Sequence, residues 1–305
     1  MSEESWAREG IVLLAGESAM PKMDFRVRPA RTEDKGPLMS FIKDVWGGHD
    51  YIPEVWDDWL GDPAGKMFVV EARGVPVGMN HLKFLEDGSA WFEGVRVHPD
   101  YRGRGLASML GENSMRIARD RGVDVFRLTS GSHNKTAHRQ IARIKFVEVA
   151  RFSAYEPSEK MRPRPTIDTI NVSVEEFSRT MNQIGQTKEY QLGKGVFWHN
   201  WTATSMSPKV VKDLVAESAV WRGGEAIAVV REGGEGSERW EEVCFLGGPE
   251  DDALKLVKSL VGRNSRIAKR WVFLPQKSPL IHKLRAEGFV RNFSMILFER
   301  RAANG

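Results

Sequence analysis

The sequence predicts an α/β fold in which helices pack on a mixed sheet of parallel and antiparallel strands. In 91–97, Trp91, Glu93, Val95 and Val97 alternate with other residues at the period of a strand. A helical apolar pattern follows in 106–118. Strand and helix patterns continue to alternate along the 305 residues, which is typical of layered α/β domains.

The first half predicts a run of strands interrupted by helices. A strand begins at Phe25, and a helix from about 32 to 45 follows it. A loop with two glycines and a proline, 47–53, separates that helix from a shorter one. The later elements are strands at 67–72, 77–85 and 90–97, a helix to about 118, a strand at 123–129, a helix at 134–146 and a strand at 147–155.

A charged, proline-rich segment, 157–165, divides the chain and predicts a linker. The expected domains are therefore 24–156 and 166–302, with an N-terminal extension at 1–23. The second domain again alternates. Its predicted strands are 195–201, 219–221, 226–231, 240–246, 270–274 and 293–298, and its predicted helices are 208–217, 250–261 and 279–287.

A glycine-rich turn joins the central strand to the helix after it, in Arg102-Gly-Arg-Gly-Leu-Ala107. Gly103 and Gly105 can adopt positive φ and let a ligand approach the backbone. The free N–H groups at the start of the helix, together with Arg102 and Arg104, suit an anion such as a pyrophosphate. The spacing matches neither a Walker loop nor a G-x-G-x-x-G turn.

The pattern [QR]-x-x-G-x-[GA] is met by Arg102, Gly105 and Ala107, and V-x-V-x-P precedes it. This stretch resembles the coenzyme A loop of the GNAT N-acetyltransferases, although a plain glycine-rich turn with solvated arginines is the alternative. The resemblance implies a GNAT fold and acetyl-CoA as co-substrate. The implied cofactor contacts are the backbones of Val95 and Val97, the turn residues Arg102, Gly103, Arg104, Gly105, Leu106 and Ala107, and Asn134, which opens an N-x-x-A motif.

The chain departs from the family at two positions of the helix after Asn134. Members often place a tyrosine that protonates the departing thiolate where Ile141 stands, and a glycine where Lys145 stands. His138 and Tyr155 are the nearest substitutes for the missing acid. Each is more often structural, and solvent could protonate the thiolate instead.

Glu93 is the candidate general base, because an attacking amine must be neutral and Glu93 lies on the central strand beside the turn. The alternative is a carboxylate paired with a nearby arginine. Asp50 and Tyr51, in the loop 47–53, are candidate contacts to the acceptor. A carboxylate that caps a helix is the alternative for Asp50.

The second domain is expected to be a degenerate GNAT-like repeat. Both halves end with a helix, a Phe-Val pair and a strand, yet no R-x-x-G-x-A follows the strand at 240–246. Gly247-Gly-Pro-Glu-Asp-Asp252 instead places acidic residues where phosphates need positive charge. Its expected role is to pack against the first domain or to close over the acceptor site.

Within the GNATs, the chain is similar to the histidine N-acetyltransferase family of vertebrates. The stretches that carry this similarity are Gly47-Gly-His-Asp-Tyr-Ile-Pro53 with Trp59, Glu93-Gly-Val-Arg-Val-His-Pro99 with the glycine turn, Arg127-Leu-Thr129 and, faintly, Asn200-Trp201. The resemblance implies transfer of acetyl to a small amine, such as a free amino acid.

Composition and charge further limit the classes of protein and the kinds of site that the sequence allows. Net charge is +4, but 96–145 holds eleven Lys or Arg against four Asp or Glu, which a polyanionic cofactor explains better than nucleic acid. Cys244 is the single cysteine, and the histidines show no metal-ligand spacing, so we expect no metal. No apolar run reaches membrane length, and a cytoplasmic protein is expected, with an oligomer compatible with the sequence.

These observations predict an acetyl-CoA-dependent N-acetyltransferase that acts on the amine of a small molecule. An enzyme that acetylates a protein N-terminus or lysine is the alternative within the same chemistry. A non-catalytic acyl-CoA-binding protein is the alternative of another class. Substitution of Glu93 separates the two classes, because a binding protein does not need that carboxylate.

Overall fold

A computed structural model describes residues 24–158, 161, 167–235, 238–261 and 269–302. The expected N-terminal extension, 1–23, lies outside the described residues, and so does most of the expected linker, 157–165. Within the described ranges, no helix has the length and apolar content needed to cross a bilayer.

The first half follows the predicted order, with boundaries that shift by a few residues. Its elements are β1 (Phe25–Pro29), α1 (Lys35–Ile42), α2 (Ile52–Gly61), β2 (Gly65–Ala72), β3 (Val75–Phe84), β4 (Ala90–Val97), α3 (Leu106–Arg119), β5 (Val125–Gly131), α4 (Lys135–Arg143) and β6 (Val147–Pro157).

The described residues of the second half contain every predicted element and four more helices or strands. The elements are β7 (Ile170–Asn171), α5 (Phe177–Gln186), α6 (Lys188–Leu192), β8 (Val196–His199), β9 (Thr202–Ser205), α7 (Pro208–Ala216), β10 (Val220–Gly223), β11 (Ala226–Glu235), β12 (Glu238–Gly247), α8 (Glu250–Val261), β13 (Arg270–Pro275), α9 (Leu280–Ala286) and β14 (Phe289–Arg301).

The four unpredicted elements are β7, α5, α6 and β9. A local signal for α5 exists, because Ser173 and Glu176 form a capping box just before it. The strand predicted at 195–201 is instead a hairpin, since Asn200 and Trp201 take positive φ of 46° and 66° and turn the chain back. Such φ values at both central residues are typical of tight hairpin turns.

Twelve strands of the described residues form one sheet, in the order β1-β2-β3-β4-β5-β14-β6-β13-β12-β11-β10-β7. The two halves interlock in this sheet. β14, from the end of the chain, pairs antiparallel with both β5 and β6, and β6 in turn pairs with β13. Strands from the two expected domains, 24–156 and 166–302, therefore pair with one another in a single sheet.

The same order of elements occurs twice. Three antiparallel strands, a helix, a parallel strand, a helix and a strand appear as β2 to β6 and again as β10 to β14. In each half the parallel step joins the strands on either side of the long helix, β4 with β5 and β12 with β13. The expected acidic turn of the second half opens α8, whose first turn holds Glu250, Asp251 and Asp252.

Separate apolar clusters pack against the sheet in the two halves. α3 packs Leu106, Leu110 and Met115 against β2 to β5 in the first half. α8 packs Leu256 and Leu260 against the second half. An aromatic cluster that contains Trp91, Trp198, Trp240 and Trp271 lies under the junction of the halves, as expected for core and interface tryptophans.

Candidate functional site

A cavity of about 1090 Å³ lies where β4 and β5 separate. The two strands pair in parallel only from Ala90–Phe126 to Phe92–Leu128. Beyond Phe92, residues of β4 face the cavity on one side, and the end of β5 with α4 faces it on the other. The lining residues on this side are Glu93, Gly94, Val95, Arg96, Ala107, Ser108, Thr129, Ser130, Gly131, Asn134, Ala137, Gln140 and Ile141.

A β-bulge in β4 accompanies this separation. Met79 of β3 opposes Arg96 and His81 opposes Glu93, so β4 carries one more residue than β3 between these pairs. Gly94 in the bulge has φ of 66°, and a Cβ atom there would lie 2.4 Å from Cζ3 of Trp59. Only glycine fits this position without displacing Trp59, and the bulge leaves Val95 40% exposed at the opening.

The glycine turn adjoins the cavity at the start of α3. Gly105 is the N-cap of α3 with φ of 80°, and Gly103 has φ of 78°. No heavy atom lies within 4 Å of a Cβ built on either glycine, so this face of the turn is open. The first N–H groups of a helix have no partner within it, and here they adjoin Ala107 and Ser108 of the cavity wall.

The two arginines of the turn have different positions. Arg102 donates from Nε to the carbonyl oxygen of Val97, 3.2 Å away, and so ties the turn to the end of β4. The guanidinium carbon of Arg104 lies 5.7 Å from the ring centre of Tyr101. The open N–H groups and the two arginines fit the pyrophosphate of coenzyme A. The adjacent edge of β4 fits its pantetheine arm.

Asn134 lines the cavity opposite the turn. Its Oδ1 accepts from the backbone N–H of Ala137 at 3.1 Å and caps α4. The helix ends early because Lys145 takes a left-handed φ of 61°, the conformation that glycine would adopt most easily. Ile141 lines the cavity, and its side chain offers no acid in place of the tyrosine.

The partner of Glu93 is a histidine and not the arginine that was considered as the alternative to a general base. His81 Nδ1 lies 2.9 Å from Glu93 Oε1, and Glu93 keeps 17% of its side chain exposed in the cavity wall. His81 is fully buried and stacks on Trp59, with 4.5 Å between ring centres. Sequence reasoning missed His81 as part of this site, and it included Trp59 only within the stretch similar to the histidine N-acetyltransferases. The Asp87-Gly88 turn sets the register that brings His81 opposite Glu93, so a pairing of the two predicted strands could have found it.

The two candidate general acids lie outside the cavity lining. His138 Nε2 lies 3.1 Å from the carbonyl oxygen of Gly131, and its ring packs near Phe298. Tyr155 is 3% exposed in the apolar cluster of the second half. Burial raises the pKa of the Tyr155 phenol. Neither residue belongs to the cavity wall that contains Glu93.

The two acceptor candidates differ in their surroundings. Tyr51 lines the cavity and packs edge-to-face on Trp59. The Asp50 side chain is fully buried and pairs with Arg96, at 2.6 Å from Nε to Oδ2. Its Oδ1 also accepts the N–H of Ile52, the first residue of α2. Asp50 thus holds the first residue of α2 from one position before the N-cap, Tyr51, and it fixes the loop that carries Tyr51.

The second half supplies one wall of the same cavity. The β8–β9 turn and the β11–β12 hairpin contribute its lining residues, which are Asn200, Trp201, Thr202, Glu232, Gly233, Gly234 and Arg239. Asn200 Oδ1 accepts the N–H of Gly234 at 3.2 Å and joins the two hairpins. This half was expected either to pack against the first domain or to close over the acceptor site. Its lining residues support the second role.

A group formed by half-buried His199 with buried Glu242 and Cys244 holds the β8–β9 turn in place. Glu242 Oε2 accepts from His199 Nδ1 at 3.0 Å and from the N–H of Asn200 at 2.9 Å, and its Oε1 accepts from Trp240 Nε1. These residue types could ligate a metal, with donor atoms within 4.8 Å of one another. The carboxylate already has a donor at each oxygen, and burial raises the pKa of the Cys244 thiol well above its usual value. These hydrogen bonds hold the β8–β9 turn against β12.

Known proteins give an independent view of this arrangement. Residues 35–146 match the model of the acetyltransferase (GNAT) family. The chain is 29% identical over 114 residues to a histidine N-acetyltransferase of Oreochromis niloticus, across 36% of this chain and 34% of that protein. It is 23% identical over 225 residues to a probable N-acetyltransferase 16 of Homo sapiens, across 68% of this chain and 60% of that protein. The chain thus spans about a third to three fifths of the length of these two relatives.

A solved structure extends the likeness of fold. A GCN5-related N-acetyltransferase from Sphaerobacter thermophilus superposes with a TM-score of 0.58 at 14% identity, across 91% of this chain and 95% of that one. The shared fold therefore reaches well into the second half. The fold expected from the strand, glycine turn and helix is confirmed, and residues 35–146 are similar to the acetyltransferase (GNAT) family.

Proposed function

We propose that this protein transfers the acetyl group of acetyl-CoA to the amine of a small molecule, and that a free amino acid such as histidine is a suitable acceptor. One observation carries the proposal. A single cavity extends from the wall beside the glycine turn, past the separated ends of β4 and β5, to Glu93 and the aromatic side chains of Trp59 and Tyr51. Anion-binding and proton-accepting groups thus face the same space.

The co-substrate would be held mainly by backbone groups. N–H groups from Gly103 to Ala107 would bind the pyrophosphate, and Arg104 would add charge. The edge of β4 at Val95 and Val97 would pair with the pantetheine arm, as an added strand does. Asn134 and Gln140, on the opposite wall, would contact its far side. A backbone N–H near Val95 would polarise the acetyl carbonyl.

The reaction begins when an ammonium group of the acceptor gives one proton to Glu93. Acetyl-CoA, when bound, supplies an acetyl carbon that gains a bond to the amine nitrogen as its bond to sulfur breaks. The nitrogen gives its second proton to solvent, and solvent supplies one proton to the thiolate. Glu93 then releases its proton to solvent, so the products are the N-acetyl compound, coenzyme A and one proton.

The charges of the acceptor side favour a zwitterion. Asp58, Asp62 and Glu232 line the cavity together with Lys83 and Arg239. Groups of both signs suit a molecule with an ammonium and a carboxylate group, as a free amino acid has. The wall from the second half, at Asn200 to Thr202, narrows the room for a protein chain. These features favour a small acceptor over a protein N-terminus or lysine.

The non-catalytic alternative has one feature in its favour, since the family's tyrosine is replaced by Ile141. Against it, Glu93 is hydrogen-bonded, partly exposed and directed to the opening of β4 and β5, as a base must be. The single cysteine, buried Cys244, agrees with the cytoplasmic location that we propose.

The test is a thiol-release assay with acetyl-CoA and a panel of free amino acids, diamines and peptides, run on wild type and Glu93→Gln. We expect turnover on one or a few amino acids, about 10²-fold slower or more in Glu93→Gln. Acetyl-CoA affinity, measured by calorimetry, should be equal in both. Binding without turnover on any amine would support the non-catalytic alternative, and turnover only on peptides would support a protein acceptor.

A further inference from the structure

We propose that His81 is a positioning residue, which fixes the Glu93 carboxylate so that one of its oxygens faces the acceptor amine. This inference rests on the proposed function, because it assigns a task to Glu93. It goes beyond that function by naming a residue of β3 on which the base depends. The supporting observations are the fixed imidazole ring, its bond to Glu93 and the environment of its other nitrogen.

The imidazole of His81 has little freedom to move. The residue is 0% exposed, and its ring stacks on Trp59 at an interplanar angle of 13°. A Cβ atom at Gly65 would lie 2.4 Å from Nε2, so the backbone of β2 closes the other side tightly. A ring held on two sides presents Nδ1 in one direction only.

That direction is toward Glu93. Nδ1 lies 2.9 Å from Oε1, and a carboxylate can only accept, so Nδ1 is the donor. One oxygen of Glu93 is thereby occupied. The other oxygen, Oε2, belongs to a side chain that is 17% exposed in the cavity wall, which leaves it as the atom that takes the proton from the amine.

Nε2 is directed at a second carboxylate. It lies 3.7 Å from Oδ2 of Asp62, and it has no hydrogen-bond partner among the described residues. Asp62 itself is fixed by the N–H of Ala64, which donates to Oδ1 at 2.8 Å. Glu93 is therefore the side chain to which the His81 ring is hydrogen-bonded, and Asp62 lies beside it in the wall of the acceptor cavity.

Such positioning has a large kinetic effect. An error of about 1 Å in the placement of a reacting group can cost about 10²-fold in rate. Without a donor at Oε1, the Glu93 carboxylate can rotate and be solvated from the cavity.

Two substitutions separate positioning from packing. His81→Asn places an amide N–H close to the position of Nδ1 but removes the stacked ring. His81→Leu fills the space but has no donor. If His81 positions Glu93, kcat falls about tenfold or less in His81→Asn and about 10²-fold in His81→Leu, with KM for acetyl-CoA unchanged in both.

A merely structural His81 predicts the opposite order. His81→Leu would then be the more active variant, because it preserves apolar packing, and that order would overturn the proposal. Thermal unfolding and acetyl-CoA calorimetry report whether each variant is folded. In Glu93→Gln, a second change to Leu at position 81 should lower kcat less than threefold, since residues that act through one another are not additive.

The outcomes also separate this inference from the proposed function. Wild-type turnover with the two His81 variants equal, or in the reverse order, overturns the positioning role and leaves the acetyltransferase function intact. Absence of wild-type turnover on the whole panel overturns the proposed function, and the positioning role with it. A full additional loss from the Leu substitution in Glu93→Gln overturns the dependence on Glu93.

Discussion

Arg127 Nη1 lies 2.6 Å from Asp87 Oδ2, and this buried ion pair joins the β3–β4 turn to β5. Arg127 also donates to Glu299 of β14 at 2.9 Å and to Ser205 Oγ of β9 at 2.6 Å. Asp87 Oδ2 accepts the N–H of Ser205 at 2.7 Å. This pair therefore connects the turn before β4, the strand of Glu93, to the β8–β9 hairpin, whose turn lines the cavity.

Removal of one partner of this pair should be strongly destabilising. Both side chains are at most 5% exposed, so Asp87→Asn leaves a buried guanidinium with one carboxylate fewer. We expect a loss of about 3–5 kcal/mol in the free energy of unfolding, measured by urea denaturation. The matched control is the exposed pair of Arg116 and Asp120, where Asp120→Asn should cost less than about 1 kcal/mol. Equal losses for the two substitutions would contradict a structural role for the buried pair.

The Asp87 contribution should disappear in acid. Burial alone would raise the pKa of Asp87, but hydrogen bonds from Ser89 and Ser205 and the charge of Arg127 outweigh it, so the pKa lies below its ordinary value. A carboxylate with a lower pKa in the folded state stabilises the fold above its unfolded pKa, about 3.9. That stability is lost as pH falls through the folded value.

The measurement is the difference in unfolding free energy between wild type and Asp87→Asn from pH 7 down to pH 2.5. The difference should be constant above about pH 5 and should shrink below about pH 4, because only wild type has this group to protonate. A difference that stays constant to the lowest pH would show that Asp87 is not the acid-sensitive group.

The glycine turn can be tested with a matched pair of substitutions. Gly105 and Gly88 both have φ of 80°, and no heavy atom lies within 4 Å of a Cβ at either position. Gly105→Ala and Gly88→Ala should therefore strain the backbone equally, by about 1 kcal/mol. Only Gly105 opens α3 beside the cavity, so we expect KM for acetyl-CoA to rise tenfold or more in Gly105→Ala and to stay within twofold in Gly88→Ala. Equal KM values would remove the turn from the cofactor site.

Local patterns predicted this part of the molecule well. The strand expected at 90–97 is β4, with the same bounds, and the turn after it has the positive φ at Gly103 and Gly105 that glycine spacing indicated. Both features depend on neighbours in sequence: alternation sets the strand, and missing Cβ atoms set the turn. The helix begins only at Leu106, because Gly105 is left-handed and caps it.

Features that depend on distant pairing were not predictable in the same way. Nothing in the alternation of β14 indicates that it enters between β5 and β6, because register and neighbours are set by the tertiary fold. The partner of Glu93 is a different case, because the hairpin turn at Asp87-Gly88 sets the register that brings His81 opposite Glu93. The second half's contribution to the cavity, at Asn200 and Glu232, arises from hairpins whose contact is non-local.

Lys145 offers a stabilising substitution. It has φ of 61° just after α4, and a residue other than glycine in this region costs about 1–3 kcal/mol. Lys145→Gly should therefore raise the midpoint of thermal unfolding by a few degrees, even though glycine increases the entropy of the unfolded chain. Arg143→Gly, inside the same helix, is the control and should lower it. A lower midpoint in Lys145→Gly would mean that the lysine side chain contributes more than the strain costs.

The interlocked sheet predicts that the first half does not fold alone. Seven residues of β14, Met295 to Arg301, pair with β5, and β6 reaches β5 only through β14. A chain ended at Ser158 would leave the facing edges of β5 and β6 unpaired and expose apolar residues such as Leu128. We expect such a chain to aggregate, to lack a cooperative thermal transition and to bind acetyl-CoA too weakly to measure.

The complementary test supplies the missing strands from outside. Residues 159–305, produced together with the shortened chain, should restore a one-to-one complex with a cooperative transition and acetyl-CoA affinity close to that of the intact protein. The reason is that the strand pairing does not need the peptide bond between residues 158 and 159. The shortened chain could instead be a stable monomer that binds acetyl-CoA as tightly as the intact protein. In that case β14 would only add to a sheet that the first half forms alone, and the division into domains 24–156 and 166–302 would hold as independent folding units.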